Sequence, residues 1–324
     1  MEETLHKCQF NQRIIRLLTA IAEMIGTLEG VKLNRPGPTL RKSNQIRTIQ
    51  SSLAIEGNSL TQDQVTALID GKTVIGPSQD IIEVKSAIRI YRRIGKLNPL
   101  SLESLLNAHD ILMDGLLPSK GKLRQEPIGV IRPGDIFHAA PPWQQVEPLM
   151  RTLFTYLKTS EDHWLVKSCR FHFQLEYIHP FVDGNGRMGR LWQTRLLMKY
   201  HPIFEFLPVE DLVRKNQNEY YRELSVGDDT GDCTGFVQLM LGLVRNSLDE
   251  LITATRAVTL TSMDRLEIAM HAMGKTSFSR KDYQLFFKNI STATASRDLQ
   301  QGVKTGLLAK SGDKRTTRYR IVKG

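Results

Sequence analysis

The stretch His179-Pro180-Phe181-Val182-Asp183-Gly184-Asn185-Gly186-Arg187-Met188-Gly189-Arg190 decides how this chain is read. Before it, Trp164, Leu165, Val166, Cys169, Phe171, Phe173, Leu175 and Tyr177 make a helix predicted over 163–177 apolar nearly all round. Such a helix belongs at the centre of a core. After it, a second strongly apolar helix is predicted over 188–198, ending before Pro202. A polar glycine-rich loop between two buried helices asks for a chemical reason. Gly184 and Gly186 permit positive φ, so consecutive N–H groups can line one anion-binding concavity. The loop opens a helix, whose first amides and dipole favour phosphate. Arg187 and Arg190 share a face of that first turn, where cations oppose the dipole unless anions sit nearby. Asp183 is a hard oxygen ligand suited to Mg²⁺ on phosphates. His179, at the loop entrance, takes a proton near neutral pH. A lone His, a Gly-Asn-Gly turn or two arginines are each ordinarily structural or solvated; their conjunction carries the reading.

Outward from the loop the chain reads as mainly α. Ile14, Leu17, Leu18, Ile21 and Ile25 recur at helical spacing over 11–28, and Asn34-Arg35-Pro36-Gly37-Pro38 breaks that helix. A second helix carries Ile46, Ile49 and Leu53 and is stopped by Gly57-Asn58. Further helices are predicted over 62–69, 78–94, 102–113 and 146–157. A β-hairpin is predicted from 128–131 and 136–139, flanking the turn sequence Arg132-Pro133-Gly134-Asp135.

The segment 179–190 resembles the Fic signature His-Pro-Phe-x-Asp/Glu-Gly-Asn-Gly-Arg-x-x-Arg at every specified position, and Phe173–Ile178 and Leu191 beside it also look typical of that family. The likeness runs from about residue 46 to about residue 243. It implies a Fic-type helical core with a β-hairpin flap, and a protein adenylyltransferase that moves AMP from ATP to a Tyr, Thr or Ser hydroxyl of a target protein, itself included. In that scheme His179 is the general base, and Asp183 holds Mg²⁺ between the α- and β-phosphates. Gly184, Asn185 and Gly186 cradle those phosphates, Arg187 takes the β-phosphate and Arg190 the γ-phosphate, and Phe181 anchors the loop. Tyr220-Tyr221 matches a pair lining the adenine pocket in relatives; helix packing explains it equally well. The hairpin occupies the place of the flap, so Ile128, Gly129, Val130 and Ile131 are expected to cover the nucleotide and to pair with the target's main chain. Doc-like relatives bind ATP reversed and transfer the γ-phosphate; the intact Gly186 and Arg190 favour the AMP orientation.

Ser51-Ser52-Leu53-Ala54-Ile55-Glu56-Gly57-Asn58 resembles the family's inhibitory motif, with Ser52, Glu56 and Gly57 filling it. Glu56 falls in the last turn of its helix, where the dipole disfavours a carboxylate, which asks for a cation partner. The resemblance names Arg190, so that Glu56 holds the arginine the γ-phosphate needs. In some relatives the same Glu positions a water that removes AMP, so a reverse activity is also open.

The 324 residues carry a formal net charge of +10, and from Thr259 onward there are 13 Lys/Arg against 5 Asp/Glu. A basic terminal domain suggests a polyanion partner. Helices are predicted there over 263–273, 279–286 and 291–302, followed by strands 307–310 and 317–322, a pattern that resembles a winged helix-turn-helix. On that resemblance Thr292, Thr294 and Arg297 face a major groove, and Lys314, Arg315 and Arg318 contact phosphates. Winged helices also mediate protein contacts. Three regions follow: 1–95 helical with the inhibitory motif, 96–250 the catalytic core, and 259–324 the winged helix. The alternative to an enzyme is a DNA-binding regulator whose core senses nucleotide; the intact His179 argues against a mere sensor. No apolar run reaches the roughly 18–20 residues that cross a bilayer. The three widely spaced cysteines, Cys8, Cys169 and Cys233, read as reduced thiols of a cytoplasmic protein. A homodimer is compatible with all of this.

Overall fold

The computed structural model describes residues 5–30, 38–132, 136–257, 261–273, 277–287, 290–313 and 316–322, with the backbone alone at 30, 38, 129–132, 136–139 and 255–257. Two compact units emerge: Met1–Asn34 with Asn44–Ile252, and Arg35–Ser43 with Thr253–Gly324.

Along the chain α1 (Gln12–Gly30), α2 (Pro38–Ala54, in the first unit from Asn44 on), α3 (Gln62–Ile69), α4 (Ser78–Tyr91) and α5 (Leu102–Leu112) precede the hairpin. Thr61 starts α3 with a capping box, its hydroxyl accepting from Gln64 N while the Gln64 side chain takes the Thr61 N–H. The hairpin pairs β1 (Gly129–Arg132) with β2 (Ile136–Ala139) antiparallel, Gly129 opposite Ala139 and Arg132 opposite Ile136. The first strand spans 129–132 where 128–131 was expected: Arg132 pairs with Ile136 instead of turning, and the ladder ends at Gly129 opposite Ala139. Residues 133–135 of the predicted turn lie outside the described residues.

Then come α6 (Trp143–Thr159), α7 (Trp164–Ile178), α8 (Asn185–Tyr200), α9 (Val209–Lys215), α10 (Gln217–Thr230) and α11 (Thr234–Ala257). α7 is central, as its composition demands: Leu165, Val166, Cys169, Phe171, Phe173 and Leu175 are fully buried. Burying such a side chain stabilises by about 1.5–3 kcal/mol. It packs on α8 so closely that a Cβ at Gly189 would sit 2.6 Å from His172 Cδ2. Ile49 and Leu53 of α2 share one apolar cluster with Phe171, Phe181 and Trp192, so the segment carrying Glu56 is built into the same core as the loop.

In the second unit α12 (Ser262–Met273), α13 (Arg280–Phe286) and α14 (Thr292–Lys304) precede a hairpin of β3 (Leu308–Ser311) and β4 (Arg318–Ile321). Leu266, Tyr283, Ala295, Leu299 and Leu308 form its core. Within it, the fully buried Asp298 accepts from Arg265 Nε at 2.5 Å and from the Tyr283 hydroxyl at 3.2 Å. Pairing of this kind is what lets a charge sit in a small core.

Candidate active site

The loop starts where α7 stops. His179 caps α7 in the left-handed conformation, φ 48 and ψ 61, alone among the described non-glycine residues in having positive φ. That conformation costs about 1–3 kcal/mol and persists only where the surroundings impose it. Here they do. The buried Arg124 donates from Nε to His179 O at 2.7 Å and from Nη2 to Pro141 O at 2.6 Å. Its backbone N–H bonds Pro180 O at 2.9 Å. Phe181 is fully buried and stacks on His109, ring centroids 3.7 Å apart. Gly121 N donates to His109 Nδ1 and His109 Nε2 lies 2.9 Å from Asp183 O, so the ring is neutral with its proton on Nε2. Burial agrees, pushing the His109 pKa down to about 4. Arg124 and His109 were missed in the sequence because neither lies near the motif.

Asn185 clamps the loop from inside: Nδ2 donates to Phe181 O and Oδ1 accepts from Phe181 N, each at 2.9 Å. Its side chain is therefore spent on the loop, and only its backbone amide remains for a phosphate. Positive φ was expected to be available to both glycines; only Gly184 uses it, at φ 85, as the N-cap of α8. Among the described residues no side chain caps that end. Helix geometry supplies no acceptor for the first amides, those of Asn185, Gly186 and Arg187. Gly186 is small for another reason. A Cβ there would lie 2.4 Å from Glu56 Oε1 and 3.1 Å from Arg190 Nη1.

Glu56 reaches this place from a turn just beyond α2, where Gly57 at φ 95 ends the helix. Glu56 Oε1 accepts from Arg190 Nη2 at 2.6 Å. Arg190, only 3% exposed, also donates from Nε to Ser52 Oγ at 3.2 Å and from Nη2 to Ser52 O at 2.9 Å. Arg187 turns to other partners: Nη1 to Glu83 of α4 at 3.2 Å and Nη2 to Asp183 Oδ1 at 3.0 Å. Asp183 Oδ1 also accepts from Gly184 N, so both of those bonds fall on one oxygen of a side chain that is 57% exposed.

The two tyrosines separate. Tyr220 is 1% exposed, with its hydroxyl 3.0 Å from His172 Nε2, and so takes the packing role. Tyr221 is half-buried beside it, on the helix that lies against β2 of the hairpin. Ile128 is half-buried; of Gly129, Val130 and Ile131 the backbone alone is described.

Behind Arg190 lies a group that no motif announced. Glu210 is 2% exposed, its Oε1 meets Tyr91 Oη at 3.2 Å and Thr194 Oγ1 at 3.3 Å, and its Oε2 has no hydrogen-bond partner among the described residues. Burial pushes its pKa up to about 7. Its proton is held more tightly folded than unfolded. The resulting stabilisation is complete below about pH 4.5 and is lost as the pH rises through about 7. Over that window it amounts to at most about 3 kcal/mol. Glu210→Gln should remove this slope, so that the variant's Tm gains on wild type between pH 5.5 and pH 8. Parallel Tm curves would show that Glu210 does not titrate there.

In the second unit, Thr292 and Arg297 are exposed on α14, but Thr294 is half-buried with its N–H and hydroxyl on Ser291 Oγ, the N-cap. Arg297 and Lys304 line an open cleft of about 500 Å³ with Ser262 and Gln301. Arg318 is exposed on β4, 3.6 Å from Asp282. Lys314 and Arg315 lie outside the described residues.

The chain is similar to known proteins in sequence and in fold. A sequence model of the Fic/DOC family matches residues 99–197. The solved structure of a Fic family protein from Desulfovibrio desulfuricans G20 aligns at TM-score 0.73 and 38% identity over 98% of each chain. This chain belongs to the Fic family. Proteins named protein adenylyltransferase Fic from Drosophila yakuba and Aedes aegypti are each 26% identical, over 74% and 66% of this chain. The chain spans about half the length of the curated relatives it matches, 46% and 43% of these two. Fic-1 of C. elegans, residues 134–508, shares the fold at TM-score 0.61 and 19% identity, covering 76% of this chain and 72% of that one. No helix among the described residues is long and apolar enough to cross a membrane.

Proposed function

We propose that this protein transfers AMP from ATP to a hydroxyl side chain of a protein, and that Glu56 restrains it. The observation that carries this reading is the imidazole of His179 at the end of α7, five residues before Gly184, which opens a helix bearing two buried arginines. The His179 Nδ1 lies 3.3 Å from Glu176 O. A proton on Nδ1 directed there makes Nε2 the basic nitrogen. His179 takes the proton from the target hydroxyl, and the oxygen forms a bond to the α-phosphorus. The bond to the bridging oxygen breaks and pyrophosphate leaves. The amides of Asn185, Gly186 and Arg187 and the α8 dipole hold the phosphates. Arg187 and, once released by Glu56, Arg190 neutralise charge that the leaving group gains.

Asp183 fits a Mg²⁺ held mainly through nucleotide phosphates, since it is an exposed carboxylate whose Oδ2 takes neither of the bonds made by Oδ1. Such an ion supplies charge neutralisation and alignment of the phosphates. Tyr221 and the hairpin backbone line the nucleotide and target side of the site. The names of the insect relatives support this reading. The test is which phosphate ends on protein: label at the α-position of ATP transfers and label at the γ-position does not. The reverse pattern would replace AMP transfer by the Doc-like phosphoryl reaction.

The second unit is read as a winged helix that binds duplex DNA, on the strength of its basic excess and of Arg297 and Lys304 at an open cleft of α14. Arg297→Ala should weaken low-salt duplex binding and flatten its salt dependence. Equal binding by both proteins would remove Arg297 from that interface.

A further inference from the structure

Asn58 and Glu83 do not belong to the motif, yet they connect its two halves. Asn58 follows Gly57 in the turn that presents Glu56. Its Nδ2 donates to Glu83 Oε2 at 2.8 Å and to Asp80 O at 3.2 Å, and its Oδ1 accepts from Leu60 N at 3.1 Å. Ser59 adds bonds from N and Oγ to Asp80 Oδ2 at 2.8 and 2.6 Å. The Glu56 turn is thereby fastened to the first two turns of α4. The other oxygen of the same carboxylate, Glu83 Oε1, accepts from Arg187 Nη1 at 3.2 Å, with side chains 13% and 5% exposed. Among the described residues Arg187 Nε is buried without a partner, and Glu83 and Asp183 fix the guanidinium's direction.

We infer that Glu83 is the joint between the brake and the phosphate site, aiming Arg187 with one oxygen and, through Asn58, holding the Glu56 turn with the other. This inference rests on the proposed role of Arg187 for its nucleotide half, but not for its fastening half. Each contact is a charge-assisted hydrogen bond to a largely buried carboxylate, the stronger kind of hydrogen bond. Glu83 touches no reacting atom; it is a positioning residue, as is Asn58. Loosening of the Glu56 turn frees Arg190 from Glu56, so nucleotide entry and release of that turn favour one another.

The fastening half is tested without nucleotide, by hydrogen exchange of the apo protein. Asn58→Ala and Glu83→Gln should each speed exchange of the 56–60 amides about tenfold, while exchange in α7 stays unchanged. Unchanged exchange at 56–60 in both variants overturns the joint, whatever the reaction proves to be. The aiming half is read from ATP affinity by calorimetry. In the Glu56→Gly background Glu83→Gln should weaken binding about tenfold, whereas Glu83→Asp should restore part of it. Asn58→Ala should tighten ATP binding only when Glu56 is present. An equal gain from Asn58→Ala with and without Glu56, or no loss from Glu83→Gln, overturns it. Loss of the ATP binding itself in Glu56→Gly would instead count against the nucleotide reading, leaving the exchange result to decide the joint.

Discussion

With Glu56→Gly, label from α-labelled ATP should accumulate on the protein roughly 10- to 100-fold faster than with wild type. The magnitude follows from the contact removed. Glu56 Oε1 and Arg190 Nη2 are 2.6 Å apart, and Arg190 is almost wholly buried. A hydrogen bond between charged groups contributes about 1.5–3 kcal/mol, and each 1.4 kcal/mol is a factor of ten. On the role proposed for Arg190, a γ-phosphate has to displace Glu56 before Arg190 can receive it, so the contact would act directly against productive binding. Glycine also empties the space where the carboxylate crowds Gly186. The fold should survive, because Glu56 lies in a turn past the end of α2 and its neighbours Leu53 and Ile55 carry the packing. Equal labelling of both proteins would show that the contact restrains nothing. Glu56→Gln, which keeps shape and one acceptor, should fall between.

His179→Ala in that released background should lower labelling by about 10²–10⁴-fold, the range for loss of a positioned general base. ATP affinity should stay within a few-fold, because the phosphate contacts proposed above come from α8 and its arginines and not from His179. A fall in kcat with KM for ATP unchanged is the signature. Alanine also accepts the left-handed backbone of residue 179 less readily than glycine, so His179→Gly serves as a second variant. It keeps the conformation at φ 48 without strain and should be equally inactive. Activity retained in both would move the base to another residue.

Much of this site was legible in the sequence because it is local. Residues 179–190 bring the imidazole, the carboxylate, the turn and both arginines together by helical and loop geometry alone. The apolar flanks announced two buried helices, and the structure has them as α7 and α8. The start of α8 was placed three residues late. Apolar periodicity begins at Met188, whereas the helix begins at Asn185, behind a glycine cap that periodicity does not register.

What the sequence by itself determined is therefore what neighbouring residues share: the helical class, the glycine turn between α7 and α8 and the residues that form it. Which donors remain for a ligand was decided only by the tertiary structure. The Asn185 side chain is consumed by Phe181, and Tyr220 by His172. Arg190 meets a carboxylate 134 residues away, Arg187 meets Glu83 across 104 residues, and Glu210 is stripped of water behind them. A charge has no periodicity that reveals its partner, since its energy depends on distance and dielectric, and packing sets both.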